Sequence, residues 1–332
     1  MRYVMSLLVL AAAWSVATLA YATPHHAQDP AGQTGLGIRL AEVPVELKDD
    51  PRALSYIVDN VNPGTTIQRR IEIQNHTGAP QKVELYAGAA NLTDSQFTIE
   101  DGRAVNELTT WTTVDPKEAE LADGTSTDAV VTVAVPEDAP EGEQYAVVWA
   151  QITGPPPTGT GTQLVSRVGI RLYLNVGPGN GSPADFSIAE VTPQRNSEGI
   201  AQLVAEVENT GGRALDMAGE VRLSGGPGSL SAGPFNAVNG TTIAPGATAL
   251  VTIDLSPDLP NGPWTADLTL RSGLVNHLTS ASVTFPDSGV GTPVGTGDNG
   301  SGFPWVISFA VLLVALIVTV VLLLRQRSRQ NT

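Results

Sequence analysis

Apolar side chains recur at every second position in several short stretches of the chain. Val168, Ile170, Leu172, Leu174 and Val176 alternate with Arg167, Gly169, Arg171, Tyr173 and Asn175. A period of two sends successive side chains to opposite faces, so this stretch predicts a strand with one face on a core and the other in water. Val131, Val133 and Val135 follow the same rule, as do Ala249, Val251, Ile253 and Leu255, and Trp264, Ala266, Leu268 and Leu270. Tyr145 to Ala150 is apolar on both faces, which predicts a central strand covered on both sides. Turn signals such as Asn62-Pro63-Gly64, Asp101-Gly102, Pro140-Glu141-Gly142 and Asn261-Gly262 recur at short intervals. Many short strands so spaced predict an all-β chain of sandwiches, with no long amphipathic helix in the exported part.

An internal repeat sharpens the reading. Ile71 to Gly78 (Ile-Glu-Ile-Gln-Asn-His-Thr-Gly) parallels Val204 to Gly211 (Val-Ala-Glu-Val-Glu-Asn-Thr-Gly). Downstream, Ala122-Asp123-Gly124 precedes Val131 to Val135 and then Pro140, Gly142 and Tyr145. Ala244-Pro245-Gly246 likewise precedes Val251 to Leu255 and then Pro260, Gly262 and Trp264. Two copies predict two tandem immunoglobulin-like β-sandwiches, residues 36–176 and 184–285, each with its own core aromatics: Trp111 and Trp149 in the first, Trp264 in the second. Gly177 to Pro183 reads as a linker, so few contacts between the sandwiches are expected. Gly154 to Gly161 reads as a long hairpin loop, and 286–302, rich in Gly, Ser and Thr, as a flexible stalk.

Both ends carry membrane signals. Met1 and Arg2 precede an apolar stretch from Val4 to Ala20, and Ala20-Tyr21-Ala22 is a small-x-small cleavage pattern, giving a signal peptide over 1–22 and a disordered mature terminus over 23–35. An uncleaved anchor is the alternative. Near the other end, 303–324 contains the uncharged run Trp305 to Leu324, about 30 Å long as a helix and thus matched to a bilayer core. Arg325, Arg327 and Arg329 follow, so the tail 325–332 is expected in the cytoplasm. The expected localisation is the cell membrane: a single-pass type I protein with its ectodomain in the space between membrane and wall.

Composition narrows the chemistry. No cysteine occurs, which removes disulfides, thiolate metal sites and cysteine nucleophiles. The net charge is −15, and the exported part holds all 33 acids, which argues against nucleic acid as a partner. An acidic surface also predicts that contact with anionic wall polymers works through hydrogen bonds, stacking or shape, so that salt leaves binding unchanged or strengthens it. No Gly-x-Ser-x-Gly elbow, His-Glu-x-x-His pair or phosphate loop is present, and the chain is read as a non-enzyme without cofactor, catalytic residues or metal ligands. His76 falls in a predicted turn, and His277 is read as lying between strands. His25 and His26, near the start of a mature chain, raise the alternative of a membrane-anchored extracellular copper carrier. Pro24, which lacks the amide an amino-terminal chelate needs, and Met217, the only methionine of the mature ectodomain, speak against it. Asn75-His76-Thr77, Asn91-Leu92-Thr93 and Asn239-Gly240-Thr241 match the glycosylation sequon, and are read as chance matches.

The order of these parts resembles the WxL-interacting proteins of Gram-positive bacteria. The local match is Ser55-Tyr56-Ile57-Val58-Asp59-Asn60-Val61-Asn62-Pro63-Gly64, then the strand through Ile71 and Ile73 to Asn75-His76-Thr77. Tyr145 to Trp149 and Val168 to Val176 resemble the closing strands of that family's peptidoglycan-binding domain. The second sandwich stands where the family carries a host-binding domain. The resemblance implies a non-catalytic surface protein that engages cell-wall peptidoglycan and other surface proteins; no individual binding residue is carried over.

Overall fold

The computed structural model describes residues 34–296, apart from 102, 156–158, 160, 180 and 181. The expected signal peptide, the membrane segment 303–324 and the tail therefore lie outside the described residues, as does most of the expected disordered terminus. Among the described residues no helix is long and apolar enough to cross a membrane.

Ten strands build the first sandwich: β1 (Gly35–Leu40), β2 (Ile57–Val61), β3 (Thr66–His76), β4 (Gln81–Thr93), β5 (Gln96–Ile99), β6 (Thr112–Asp115), β7 (Glu118–Leu121), β8 (Ser126–Ala134), β9 (Gly142–Thr153) and β10 (Val165–Val176). One sheet runs β1-β3-β8-β6; the other runs β2-β10-β9-β4-β5, with β7 also on β4. β2 pairs parallel to β10, and the β9–β10 hairpin encloses the expected loop, with Thr153 opposite Val165. A short α-helix, α1 (Glu107–Trp111), precedes β6. Asn106 caps it: its Oδ1 accepts from the Thr109 amide, and its own amide donates to Thr109 Oγ1.

The second sandwich follows: β11 (Phe186–Arg195), β12 (Ala201–Asn209), β13 (Leu215–Asp216), β14 (Ala218–Ser224), β15 (Ala232–Asn236), β16 (Thr242–Ile243), β17 (Thr248–Asp254), β18 (Trp264–Ser272), β19 (Val275–Val283), β20 (Gly289–Val290) and β21 (Val294–Gly295). Its sheets are β17-β12-β11, extended by β20 and β21 on the β11 edge, and β15-β14-β18-β19; β13 and β16 form a small third pair. The fold is thus two tandem immunoglobulin-like sandwiches, and the alternating residues fill their cores. Ile71, Ile73, Val131, Val133, Val148, Leu172 and Leu174 meet in the first. Leu203, Val251, Ile253, Trp264 and Leu268 meet in the second.

The repeat is reproduced bond for bond. Asn75 is fully buried; its Nδ2 donates to the Ala79 and Leu121 carbonyls, both at 2.9 Å, and its Oδ1 accepts from the Thr77 amide at 3.1 Å. Asn209 does the same, with the two local bonds at matching offsets: Nδ2 donates to Arg213 and Ile243, and Oδ1 accepts from the Gly211 amide. Each asparagine also accepts, on its own carbonyl, the amide of a glycine with positive φ, Gly124 at 73° and Gly246 at 72°. A β-carbon would oppose that angle, which is why glycine stands at both positions. Asn75 cannot be a glycan acceptor, because its side-chain nitrogen is enclosed and fully bonded.

Four expectations change. Trp149 does not fill the space between sheets. Its neighbour Val148 does, and Trp149 lies on the outer face of the same sheet, where a β-carbon at Gly88 or Gly169 would collide with its indole. The expected stalk is partly folded, since β20 and β21 pair with β11 and the Gly291 amide donates to the Pro193 carbonyl at 2.8 Å. Backbone pairing needs no particular side chain, so a Gly-Ser-Thr composition did not exclude it. Gly35, placed in the disordered terminus, opens β1 opposite His76. His277 lies within β19, where its Nε2 is 2.9 Å from Asp185 Oδ1 and its ring meets Phe186 edge-on.

Candidate functional site

The part of the β10 face expected in water that lies around Tyr173 is covered where the second sandwich meets the first, whereas Gly169 further along the strand stays exposed. Tyr173 is fully buried there, together with Tyr86, Val147, Phe97 and Ala214, the last contributed by the second sandwich. Apolar residues on both faces of Tyr145–Ala150 have this cause: one face packs the first core and the other packs an outer aromatic cluster of the first sandwich that Ala214 of the second joins. The contacts between the sandwiches are few and are gathered at this patch.

Asp216, on β13, is the centre of this interface. Its Oδ2 accepts from Arg52 Nε at 2.7 Å. Its Oδ1 accepts from Tyr173 Oη and Thr242 Oγ1, each at 2.9 Å, and more weakly from Arg171 Nη1 at 3.4 Å. Arg52, Tyr173 and Arg171 belong to the first sandwich, so one carboxylate of the second gathers three side chains across the boundary. Aromatic rings hold the cations in place: the Arg52 guanidinium lies 4.7 Å from the centre of Tyr173, and that of Arg171 lies 4.6 Å from Phe97 and 5.3 Å from Tyr56. Burial opposes the charge on Arg52, but Asp216, Tyr173 and Glu143 outweigh it and hold its pKa above the usual arginine value. Two further bonds cross the boundary. The Ala214 amide donates to Glu143 Oε2 at 2.6 Å, and the Thr242 amide donates to the Ser95 carbonyl at 2.8 Å.

Glu143 supplies a pH dependence. Burial pushes its carboxyl above the ordinary glutamate value of 4.5, while the bonds from Ala214 and Tyr145 and the charge of Arg52 only partly oppose this. A carboxyl raised in the folded chain stabilises it most below its unfolded pKa, and that contribution is lost as pH rises through the folded pKa. Asp59 is raised by burial as well and acts in the same direction. We expect Glu143→Gln to flatten the fall in stability as pH rises above the ordinary glutamate value. Urea midpoints across that range measure it, and parallel profiles for the two proteins would refute it.

Beside the Asp216 cluster a cleft of about 480 Å³ opens between the sandwiches, lined among others by Arg52, Tyr56, Arg171, Arg271 and the segment Asn239 to Thr242. Arg271 is exposed and has no ion-pair partner among the described residues. A cationic cleft in a chain of net charge −15 is a local reversal of sign. The one carboxylate lining it, Asp216, already accepts from four groups and is not placed to act as a general base. A second depression, about 440 Å³ on the first sandwich, carries Glu84 and Glu118 beside Arg103 and Lys117, so its charges offset one another. For the copper alternative, His25 and His26 lie outside the described residues, and Met217 is buried in the second core.

No family model and no curated protein matches the chain. Solved structures do. The Pseudomonas aeruginosa CupB2 chaperone is 12% identical, covers 68% of this chain and 97% of its own, and superposes with a TM-score of 0.36. The E. coli chaperone DraB is 14% identical over 69% of this chain and 96% of its own, with a TM-score of 0.37. The Salmonella enterica SafA pilin in complex with the SafB chaperone matches at 12% identity over 76% and 98%, with a TM-score of 0.39.

Proposed function

We propose that this chain is a non-catalytic binding protein of the cell surface, held in the membrane by 303–324, and that the cleft between its sandwiches takes an anionic group of peptidoglycan or of a surface-protein partner. The observation that supports this reading most is the cleft itself. Arg52 and Arg171 are fixed there by Asp216 and by aromatic rings, and Arg271 is left open to a ligand. Wall peptides carry carboxylates, and a guanidinium matches a carboxylate with two parallel bonds. Because β20 and β21 are bound to the second sandwich, only 297–302 separate the fold from the apolar segment. Six residues reach at most about 20 Å, which keeps the second sandwich close to the membrane and to the inner layers of the wall.

The full chain in lipid nanodiscs, sedimented with purified peptidoglycan, tests the reading. Arg271→Glu is expected to weaken binding about tenfold, equivalent to about 1.4 kcal/mol. The attraction is local and Coulombic, so salt should weaken wild-type binding and leave the variant little changed. This reverses the salt dependence that the overall acidity predicts. Equal binding by both proteins would exclude the cleft. Absence of wall binding by the wild type, with a surface protein captured through the same arginine, would assign the cleft to a protein partner.

A further inference from the structure

Strand β19 ends its sheet with its outer backbone unpaired, while β11 and β21 of the facing sheet pack against it. It pairs with β18 over nine residues, Trp264 opposite Val283 through Ser272 opposite Val275, with no shift of register. No other described segment bonds its backbone. The sequence Val-Asn-His-Leu-Thr-Ser-Ala-Ser-Val contains no acid, lysine, arginine or proline. Its outward residues are Asn276, Leu278, Ser280 and Ser282, with Leu278 75% exposed. The other edges of the second sandwich's two main sheets are guarded. β15 contains Pro234 and faces a register shift between Val221 and Leu223. β17 is met by Ala237, bridged to Ile253, and by the Val238 amide bonding the Thr252 carbonyl. β11 is covered by β20 and β21. Flat, uncharged, unbulged edges are the ones that recruit another strand.

We propose that β19 pairs antiparallel with β19 of a second copy of this chain, joining the two β15-β14-β18-β19 sheets into one continuous eight-stranded sheet. The segment is its own complement. Centred on Thr279, the pairing sets Val275 against Val283, Asn276 against Ser282 and Leu278 against Ser280 of the second copy, and no like charges meet. The overall charge does not forbid it. Asp185, the acid closest to β19, is held by His277, and the nearest acid across β18 on the outer face is Asp267, opposite Ser280. Asp267 and its symmetry mate would stand three strand spacings apart, about 14 Å, beyond the screening length of about 8 Å at physiological salt. A two-fold axis closes the pair and leaves no further β19 edge open, so the product is a dimer and not a fibre.

The absence of cysteine makes the test clean. Full-length Asn276→Cys and Ser282→Cys proteins are reconstituted in liposomes separately and mixed, then treated with a short bis-maleimide. The mixture is expected to give a band of twice the mass with an adduct joining the two positions, at least five-fold above either protein alone. Adding Leu278→Lys, an exposed substitution of the kind that guards natural edges, should abolish the band. Equal yields from single proteins and mixture, or a band that Leu278→Lys leaves intact, would overturn the proposal. Wild-type protein that runs as a monomer by multi-angle light scattering in detergent at every concentration up to about ten times that of the liposome experiment, with no band in the mixture, would also overturn it. Peptidoglycan binding is not read in this experiment, so its outcome is independent of the cleft.

Discussion

Asp216→Asn is expected to uncouple the two sandwiches and to destabilise the described fold by about 3 to 5 kcal/mol. The substitution keeps the shape of the side chain and removes its charge. Arg52 Nε then faces an amide where it had an anion, and Arg52 is only 8% exposed, so water cannot replace the lost partner. Tyr173 Oη, Thr242 Oγ1 and Arg171 Nη1 converge on the same oxygen, and a single amide oxygen without charge holds them less well. The cores themselves are untouched, since Asp216 belongs to neither. The loss should therefore appear first at the boundary. Hydrogen exchange on the full chain in nanodiscs should show early opening of β10 and β13, while β3, β8, β12 and β17 keep their protection. In urea the wild type is expected to unfold in one transition and the variant in two. A variant that still unfolds in one step, within about 1 kcal/mol of the wild type, would remove Asp216 from the centre of the interface.

The interface was half legible in the amino-acid sequence. Tyr145–Ala150, apolar at almost every position, demands cover on two sides, and the structure supplies it from two directions. The alternation from Val168 to Val176 pointed elsewhere, because Arg171 and Asn175 made the opposite face look solvated. A buried arginine and a surface arginine are the same letter; only a partner in space separates them. That partner, Asp216, lies 164 residues from Arg52 in the chain and is one of 33 acids. No spacing rule connects such a pair. Trp149 was misplaced for a related reason: an aromatic on a covered strand fits either face, and the glycines that admit it, Gly88 and Gly169, are read from neighbouring strands. The cores, by contrast, follow directly from period-two patterning, since a one-residue slip would turn every apolar side chain outward.

The repeat is the feature that sequence and structure share most closely, and it carries the other large effect. Asn75→Ala and Asn209→Ala are each expected to destabilise their own sandwich by about 2 to 4 kcal/mol, and by similar amounts. Each replacement removes two bonds donated by Nδ2 and at least one accepted by Oδ1. Each takes the asparagine donor away from two carbonyls in a site where that residue is 0% or 1% exposed, although Thr77 Oγ1 still reaches the Ala79 carbonyl at 3.1 Å, and the weakened bonding of these carbonyls is the dominant part of the loss. Aspartate is the sharper probe. It has the same volume but cannot donate when ionised, so it would set a carboxylate against two carbonyls. Asn75→Asp and Asn209→Asp should therefore match or exceed the alanine losses near neutral pH. Part of the loss should return on acidification, as the carboxyl gains a proton and can donate one bond. Urea midpoints of the four variants at neutral and acidic pH decide the matter. Aspartate variants as stable as the wild type at neutral pH would show that shape, not hydrogen bonding, selects asparagine at these two positions. A loss at Asn75 without a comparable loss at Asn209 would show that the repeated bonds do not carry repeated energies.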